Sequence, residues 1–342
     1  MPDHSLLRVA FSGVSHPHAA AWADAIRDRR DASIVAVHDP DEATAEAFGR
    51  IYDCPVVPES AFVPLSIDAV VVDGRNDQSK DLALRALHAG MPVFLEKTGG
   101  LNSAELQEVA DLARTKHLVT QMGYFLRYSD AVVLARDAIA SGSLGRLTLA
   151  RLHCAIPDTA WTSMASWFGD RSNVTGGLIE AGCHMVDIAR YLLGEPLAVS
   201  AQSAGRSSLT DSLEDSVSAG LQFDGFTASL DFTAHEANPW NENWTIELYG
   251  TAATLRVGLT PSWADRNNGS FKWEHLLAPC SDTERGLAER AREENRVFMA
   301  RGVDAFIQAL HGSEPAPVDA ESGASTLRLI ERIYESAPST DK

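Results

Sequence analysis

The sequence predicts an α/β protein: a doubly wound parallel sheet over residues 1–125, then an α+β domain over 126–338 with a large, mostly antiparallel sheet. Three observations carry this. Up to about residue 125, short continuous apolar runs alternate with amphipathic segments, the pattern of buried parallel strands and crossover helices. Later runs alternate apolar and polar residues and mostly follow one another without helices between them. At 342 residues the chain is too long for one small core and suits two domains.

The elements follow in order. "RVAFSG" from Arg8 reads as a strand leading to a helix over 17–29, and "SIVAVHD" as a strand leading to a helix over 41–52. "DAVVVDG" precedes "SKDLALRALHAG", whose Leu82, Leu84 and Leu87 lie at helical spacings. "PVFLEK" precedes the helix "SAELQEVADLARTKH", and "LVTQMGYF" is one more strand. After a helix near 130–141 come the strands "LTLARLHCAI", "LAVSAQSAG", "SVSAGLQF", "FTASLDFTA", "WTIELYG" and "ATLRVGL". Asp224-Gly225 marks a hairpin between two of them. One helix, "GGLIEAGCHMVDIARYLLG", interrupts the set, and two more near 284–311 and 320–337 end it.

Composition narrows the class. Hydrophobic content of 45% and charged content of 22% are those of a soluble globular protein. The formal net charge of −18 argues against nucleic acid or an anionic membrane as partner. No apolar run approaches the roughly 20 residues of a membrane helix, and the start "MPDHSLLRVAF" lacks the features of a secretory signal. Cys54, Cys154, Cys183 and Cys280 are scattered and fit buried thiols in a reducing cytoplasm.

Gly13 follows a strand and precedes a helix, the setting of a phosphate turn, although Ser15 and His18 stand where further glycines would. Asp39 ends the second strand; an acid there can accept from the ribose hydroxyls of an adenosine and repel a 2′-phosphate, which favours NAD over NADP. His16 and His18 either line the cofactor cleft or cap the helix. No acid or cysteine nearby in sequence completes a metal site, so no metal is expected.

"FLEKTGG" puts Glu96 and Lys97 at the C-terminal end of a strand, the edge where ligands bind in such sheets. A lysine there can polarise a substrate hydroxyl or carbonyl and share its proton. If the segment from Gly177 is a regular helix, Glu180, His184 and Asp187 fall at i, i+4 and i+7 on one face. A histidine between carboxylates gains basicity, as a general base requires.

On these motifs the sequence resembles the Gfo/Idh/MocA family, the glucose–fructose oxidoreductase and inositol dehydrogenase type, over nearly its whole length. The family's Glu-Lys-Pro resembles Glu96-Lys97-Thr98, which makes Lys97 the catalytic lysine. Its Gly-Gly, acid, Gly-x-His-x-x-Asp pattern resembles Gly176-Gly177, Glu180, Gly182, His184 and Asp187, which makes His184 the acid/base and Glu180 its orienting partner. "GYFLRY" resembles the crossing between domains and makes Arg127 a pocket residue, with Asp187 also near substrate. Trp161 and Trp167, just before the catalytic helix, either stack on a sugar ring or anchor a loop. The sequence departs from the family at the glycine-poor turn, at Gly74-Arg75-Asn76 in place of Thr-Pro-Asn, and at Thr98 in place of proline.

The resemblance implies an N-terminal Rossmann-type domain and an NAD(P)-dependent dehydrogenase or reductase acting on a sugar, cyclitol or related polyol. Gly13, Ser15, His16, His18, Asp39, Asn76, Glu96 and Lys97 would contact the cofactor. Two other outcomes stay open: an NAD-retaining enzyme that cleaves or epimerises a glycoside, and a non-catalytic dinucleotide or sugar sensor. The late strands have few helices to cover both sheet faces, so a homodimer or homotetramer packed through a sheet face is expected.

Overall fold

The computed structural model describes residues 6–157, 166–169, 172–205, 214–237, 243–277 and 284–337. Strands β1 (Leu7–Ser12), β2 (Ala32–His38), β3 (Ala69–Val72), β4 (Val93–Leu95) and β5 (Thr120–Met122) form one sheet in the order β2-β1-β3-β4-β5. All its pairings are parallel. Every residue of β3, Ala-Val-Val-Val, is buried, as a strand covered on both faces must be. The helices between the strands are α1 (Ala19–Arg27), α2 (Glu42–Tyr52), α3 (Asn76–His88) and α4 (Ser103–Lys116). Side chains cap two of them, Asp41 accepting from Ala43 N on α2 and Asn102 from Glu105 N on α4. No side chain caps α1, and its first turn carries no acid. The order of the strands reverses beside β1, and the carboxyl ends there define the crevice of such a sheet.

After a 3-10 turn at Phe125–Tyr128, α5 (Asp130–Ala140) leads into the second sheet. Its strands are β6 (Leu147–Pro157), β7 (Ala198–Ala204), β8 (Ser216–Phe223), β9 (Phe226–Glu236), β10 (Asn243–Gly250), β11 (Thr254–Leu259), β12 (Ser262–Asn267) and β13 (Glu274–Leu277). They lie in the order β13-β12-β11-β10-β6-β9-β8-β7, and all neighbours are antiparallel except β6 and β9. The Asp224-Gly225 turn joins β8 and β9, with Gly225 at φ 81°. Strands β12 and β13 were not expected. "SWADRN" and "EHLL" show no clean apolar alternation, and β12 is placed by pairing along β11.

Along β8, Val217, Ala219, Leu221 and Phe223 are buried whereas Ser218, Gly220 and Gln222 are exposed. One sheet face thus carries the core, while the other stays open at these positions.

The chain then returns to the first sheet. Helix α6 (Cys183–Leu193) follows a π-helical turn at Leu178–Gly182, and α7 (Glu284–Leu310) and α8 (Ala320–Ser336) close the described chain. Val318 O accepts from Met122 N at 2.7 Å, and Ala320 N donates to Thr120 Oγ1, so the last segment covers the β5 edge. Glu331 of α8 takes both the backbone N and the hydroxyl of Ser103 at the start of α4. Arg127 binds both carboxylate oxygens of Asp187, each at 2.6 Å, and donates to Pro317 O and Ser322 Oγ. One guanidinium therefore joins the domain crossing, α6 and the segment before α8.

Candidate active site

The site starts from the turn after β1. Gly13 sits at φ +84°, and a Cβ there would lie 2.8 Å from the Gly74 backbone, so the position admits only glycine. Backbone bonds stitch the turn to its neighbours: Gly13 N to His38 O, Asp73 N to Gly13 O and His16 N to Asp73 O. Asp39 tightens it further, accepting from Val14 N at 2.7 Å, Ser15 Oγ at 2.9 Å and Asp41 N at 2.8 Å. Both oxygens of Asp39 are thus already engaged by the chain itself, so its carboxylate braces the turn as well as charging the end of β2.

Lys97, just past β4, is 5% exposed and meets Glu180, which is fully buried. Its ammonium donates to the Glu180 carbonyl at 2.9 Å and to Oε1 of the same residue. Asn76 Nδ2 donates to the other oxygen, Oε2, at 2.6 Å. Glu96 points the opposite way along the strand end: it accepts from Trp22 Nε1 at 2.6 Å and faces His18 Nδ1 at 3.0 Å. Gly123 leaves room for it, since a Cβ there would stand 2.4 Å from Glu96 Oε2. The Lys97–Thr98 peptide is cis.

His184 is buried, with Phe125, Tyr124 and Trp244 around its ring at centroid distances of 5.0, 5.7 and 6.1 Å. Its Nδ1 has no hydrogen-bond partner among the described residues. This corrects the one-face reading of Glu180, His184 and Asp187. The π-helical turn at Leu178–Gly182 departs from the regular helical spacing on which that reading depends. Glu180 consequently orients Lys97 rather than His184, and Asp187 pairs with Arg127. Arg127 and Asp187, both expected near substrate, are buried against each other, Asp187 with no exposed surface and Arg127 7% exposed. Trp161 lies outside the described residues. Trp167 stacks on Phe168 with centroids 4.2 Å apart and donates to Ser15 O at 3.4 Å, which ties the segment before the π-turn to the phosphate turn.

Sequence reading missed Trp22 and Asp73. Asp73 follows the wholly apolar β3 and is fully buried, and neither of its oxygens has a hydrogen-bond partner among the described residues. An acid ending such a strand is itself a signal. His16 stands between two carboxylates, with Nδ1 3.4 Å from Asp73 and Nε2 3.5 Å from Glu180. The reason given for expecting no metal also fails in three dimensions. Glu96 is distant in sequence, yet one donor atom each from His16, His18 and Glu96 lie within 4.8 Å of one another.

Electrostatics sort these groups. Burial, and then the charge of Lys97, holds His16 down to about 4 and His184 down to about 3. Burial alone would neutralise Lys97 and Glu180; their mutual attraction overcomes it, raising the lysine and lowering the glutamate. Burial would also raise Glu96, but His18 and His16 bring it down to about 2. Asp73 is pushed well up by burial and by Glu96.

A pH dependence of stability follows. His16 and His184 stay neutral in the folded chain, whereas an unfolded imidazole takes a proton near 6.5. Their contribution is therefore complete above about pH 6.5 and is lost as pH falls toward 4 and then 3. Urea unfolding from pH 7 to 5 should show a steeper loss of stability for the unmodified protein than for His184→Gln. Each histidine supplies at most about 1.4 kcal/mol per pH unit. Equal slopes would remove the buried neutral imidazole from the account.

Comparison with known proteins identifies the family of both halves of the chain. Residues 7–124 match the family described as "Oxidoreductase family, NAD-binding Rossmann fold", and residues 132–256 match "GFO/IDH/MocA C-terminal domain". The chain is 26% identical to the D-glucoside 3-dehydrogenase of Escherichia coli (strain K12), covering 97% of this chain and 96% of that one. It is 29% identical to the inositol 2-dehydrogenase of Rhizobium meliloti (strain 1021) over 53% of this chain and 54% of the relative. The crystal structure of the WlbA dehydrogenase from Bordetella pertussis, in complex with NADH and UDP-GlcNAcA, superposes with a TM-score of 0.82 at 20% identity, over 98% and 96% of the two chains. The chain belongs to the Gfo/Idh/MocA family of oxidoreductases with an NAD-binding Rossmann fold.

Proposed function

We propose that this oxidoreductase interconverts a hydroxyl and a carbonyl on a sugar, cyclitol or related polyol, with NAD as its preferred cofactor. The observation that carries the reading is the buried Lys97–Glu180 pair at the end of β4, with the neutral imidazole of His184 beside it. The relatives named for glucosides and inositol support the substrate class. A cofactor fits the residues present. The uncapped start of α1, with alanines at 19–21 and no acid in its first turn, suits a pyrophosphate, and Gly13 allows close approach. Asp39 ends β2 where the adenosine ribose would lie. Bound NAD supplies the hydride acceptor; the chain supplies position and proton transfer.

In the oxidative direction His184 is unprotonated and takes the hydroxyl proton, its lowered basicity offset by the ammonium of Lys97, which makes the hydroxyl more acidic. Lys97 remains an ammonium because Glu180 holds its pKa up, and it stabilises negative charge developing on the substrate oxygen. Glu180 acts through the lysine. Asn76 holds Glu180 from the other side.

Three measurements test the reading. Lys97→Ala and His184→Ala should each lower kcat by roughly 10²–10⁴-fold while NAD affinity stays nearly unchanged. The combined loss should be less than additive, because both act on one proton. Glu180→Gln should move the alkaline limb of the kcat profile to lower pH, since the lysine loses its counter-charge. Near-normal kcat in folded His184→Ala would end the mechanism.

The cofactor preference rests on the charge at Asp39. Fluorescence titration should find NAD bound more tightly than NADP, and Asp39→Asn, which keeps an acceptor for the Val14 amide, should narrow the gap. Equal affinities in the unmodified protein would sink the assignment.

Assembly rests on the open face of the large sheet, where Ser218, Gly220 and Gln222 of β8 and Leu149 of β6 are exposed. Two copies packed through that face give a dimer or a dimer of dimers, and light scattering at micromolar concentration should return a multiple of the 36.9 kDa chain. A monomeric mass would count against it. Buried thiols at Cys54, Cys154 and Cys183 fit a reducing cytoplasm. No helix among the described residues is long and apolar enough to cross a membrane.

A further inference from the structure

We propose that His16, His18 and Glu96 form a binding site for a divalent transition-metal ion, with Zn²⁺ the best match. The three side chains come from the phosphate turn and the end of β4, and one donor atom from each lies within 4.8 Å of the others. Two of them, His18 Nδ1 and Glu96 Oε1, are already 3.0 Å apart. Bonds of about 2.0–2.2 Å to a tetrahedral ion put donors roughly 3.4 Å from one another, so small rotations of the rings suffice.

A second observation points the same way. His16 is 4% exposed, and its Nε2 is buried without a hydrogen-bond partner among the described residues. Its Nδ1 accepts from His18 N at 3.1 Å and lies 3.4 Å from Asp73. Whichever ring nitrogen takes an ion, the other has a carboxylate within 3.5 Å, Asp73 behind Nδ1 or Glu180 beyond Nε2. A metal-binding imidazole almost always has such a partner for its second nitrogen. Asp73 itself is fully buried with both oxygens unpartnered among the described residues, a costly arrangement that a charged imidazole–metal unit would relieve. Trp22 steadies Glu96 through its second oxygen, Oε2, while Oε1 faces His18 Nδ1, the contact an ion would replace.

The donor set selects the ion. Two imidazoles and one carboxylate suit Zn²⁺ or Co²⁺, whereas Mg²⁺ and Ca²⁺ prefer all-oxygen shells. Three protein ligands leave a fourth position for water or for an oxygen of a bound molecule. The side chain of His18 is 29% exposed, which gives the site an approach from outside.

Calorimetric titration of the chelator-stripped full chain with Zn²⁺ alone should find one ion per chain, with Mg²⁺ producing no binding. Co²⁺ in the same protein should give the visible absorption of a four- or five-coordinate ion, a readout that needs no variant. Asp73→Asn should weaken Zn²⁺ binding by roughly 10–100-fold, and His18→Ala by more than that. His275→Ala, which removes an exposed histidine paired with Asp265, should leave it unchanged. Absence of stoichiometric Zn²⁺ binding in the unmodified protein overturns the proposal, as does equal binding by the His18 and His275 variants. NAD titration of the metal-free protein reports on the cofactor reading separately, so either can fail alone.

Discussion

The buried ion pair of Lys97 and Glu180 is the constraint to which the rest of the site answers. Taking both charges out of water costs several kcal/mol per ion, and only close geometry with further hydrogen bonds recovers it. The structure meets that condition from three elements. β4 delivers the lysine, the π-helical turn offers it both the carbonyl and the carboxylate of one residue, and α3 brings Asn76 to the remaining oxygen. Losing any one partner would strand a charge in the interior. The pair also divides labour at the site. It keeps the lysine charged, and the charge of Lys97, opposed by Glu180, adds to burial in keeping the nearby imidazoles neutral.

Much of this arrangement was legible in the sequence because the strand ends are punctuated by polar residues after apolar runs. Gly13, Asp39, Asn76 and the Glu96–Lys97 pair each follow such a run, and the alternation of runs and helices places them on one edge of the sheet. Their partners were less readable. Hydrophobic periodicity gives a period but not a local change in it, so the π-helical turn at Leu178–Gly182 was invisible, and with it the true partner of Glu180. The proximity of Glu96 to His16 and His18 depends on the turn after β1 reaching past β3 to the end of β4. Arg127 and Asp187 were each expected near substrate on separate motifs, and only packing shows that they bind each other.

The same physics explains the residues around His184. An imidazole enclosed by Tyr124, Phe125 and Trp244 loses hydration, and this loss together with the charge of Lys97 outweighs the pull of Glu96 and Glu180, so its basicity falls instead of rising. The aromatic box holds the ring by contact where a hydrogen bond was expected to do so. Phe125 touches His18 as well, with ring centroids 5.6 Å apart, so the two histidines on either side of the cleft share one aromatic neighbour.

The return of the chain to β5 has a consequence for synthesis. The Met122 amide finds its acceptor on Val318, and α4 is covered by α8. When the first 125 residues have been made, the segment that covers the outer strand and its adjoining helix does not yet exist. That edge stays open until nearly two hundred further residues have been added. Its last contacts form only after the far end of the chain has come back to it.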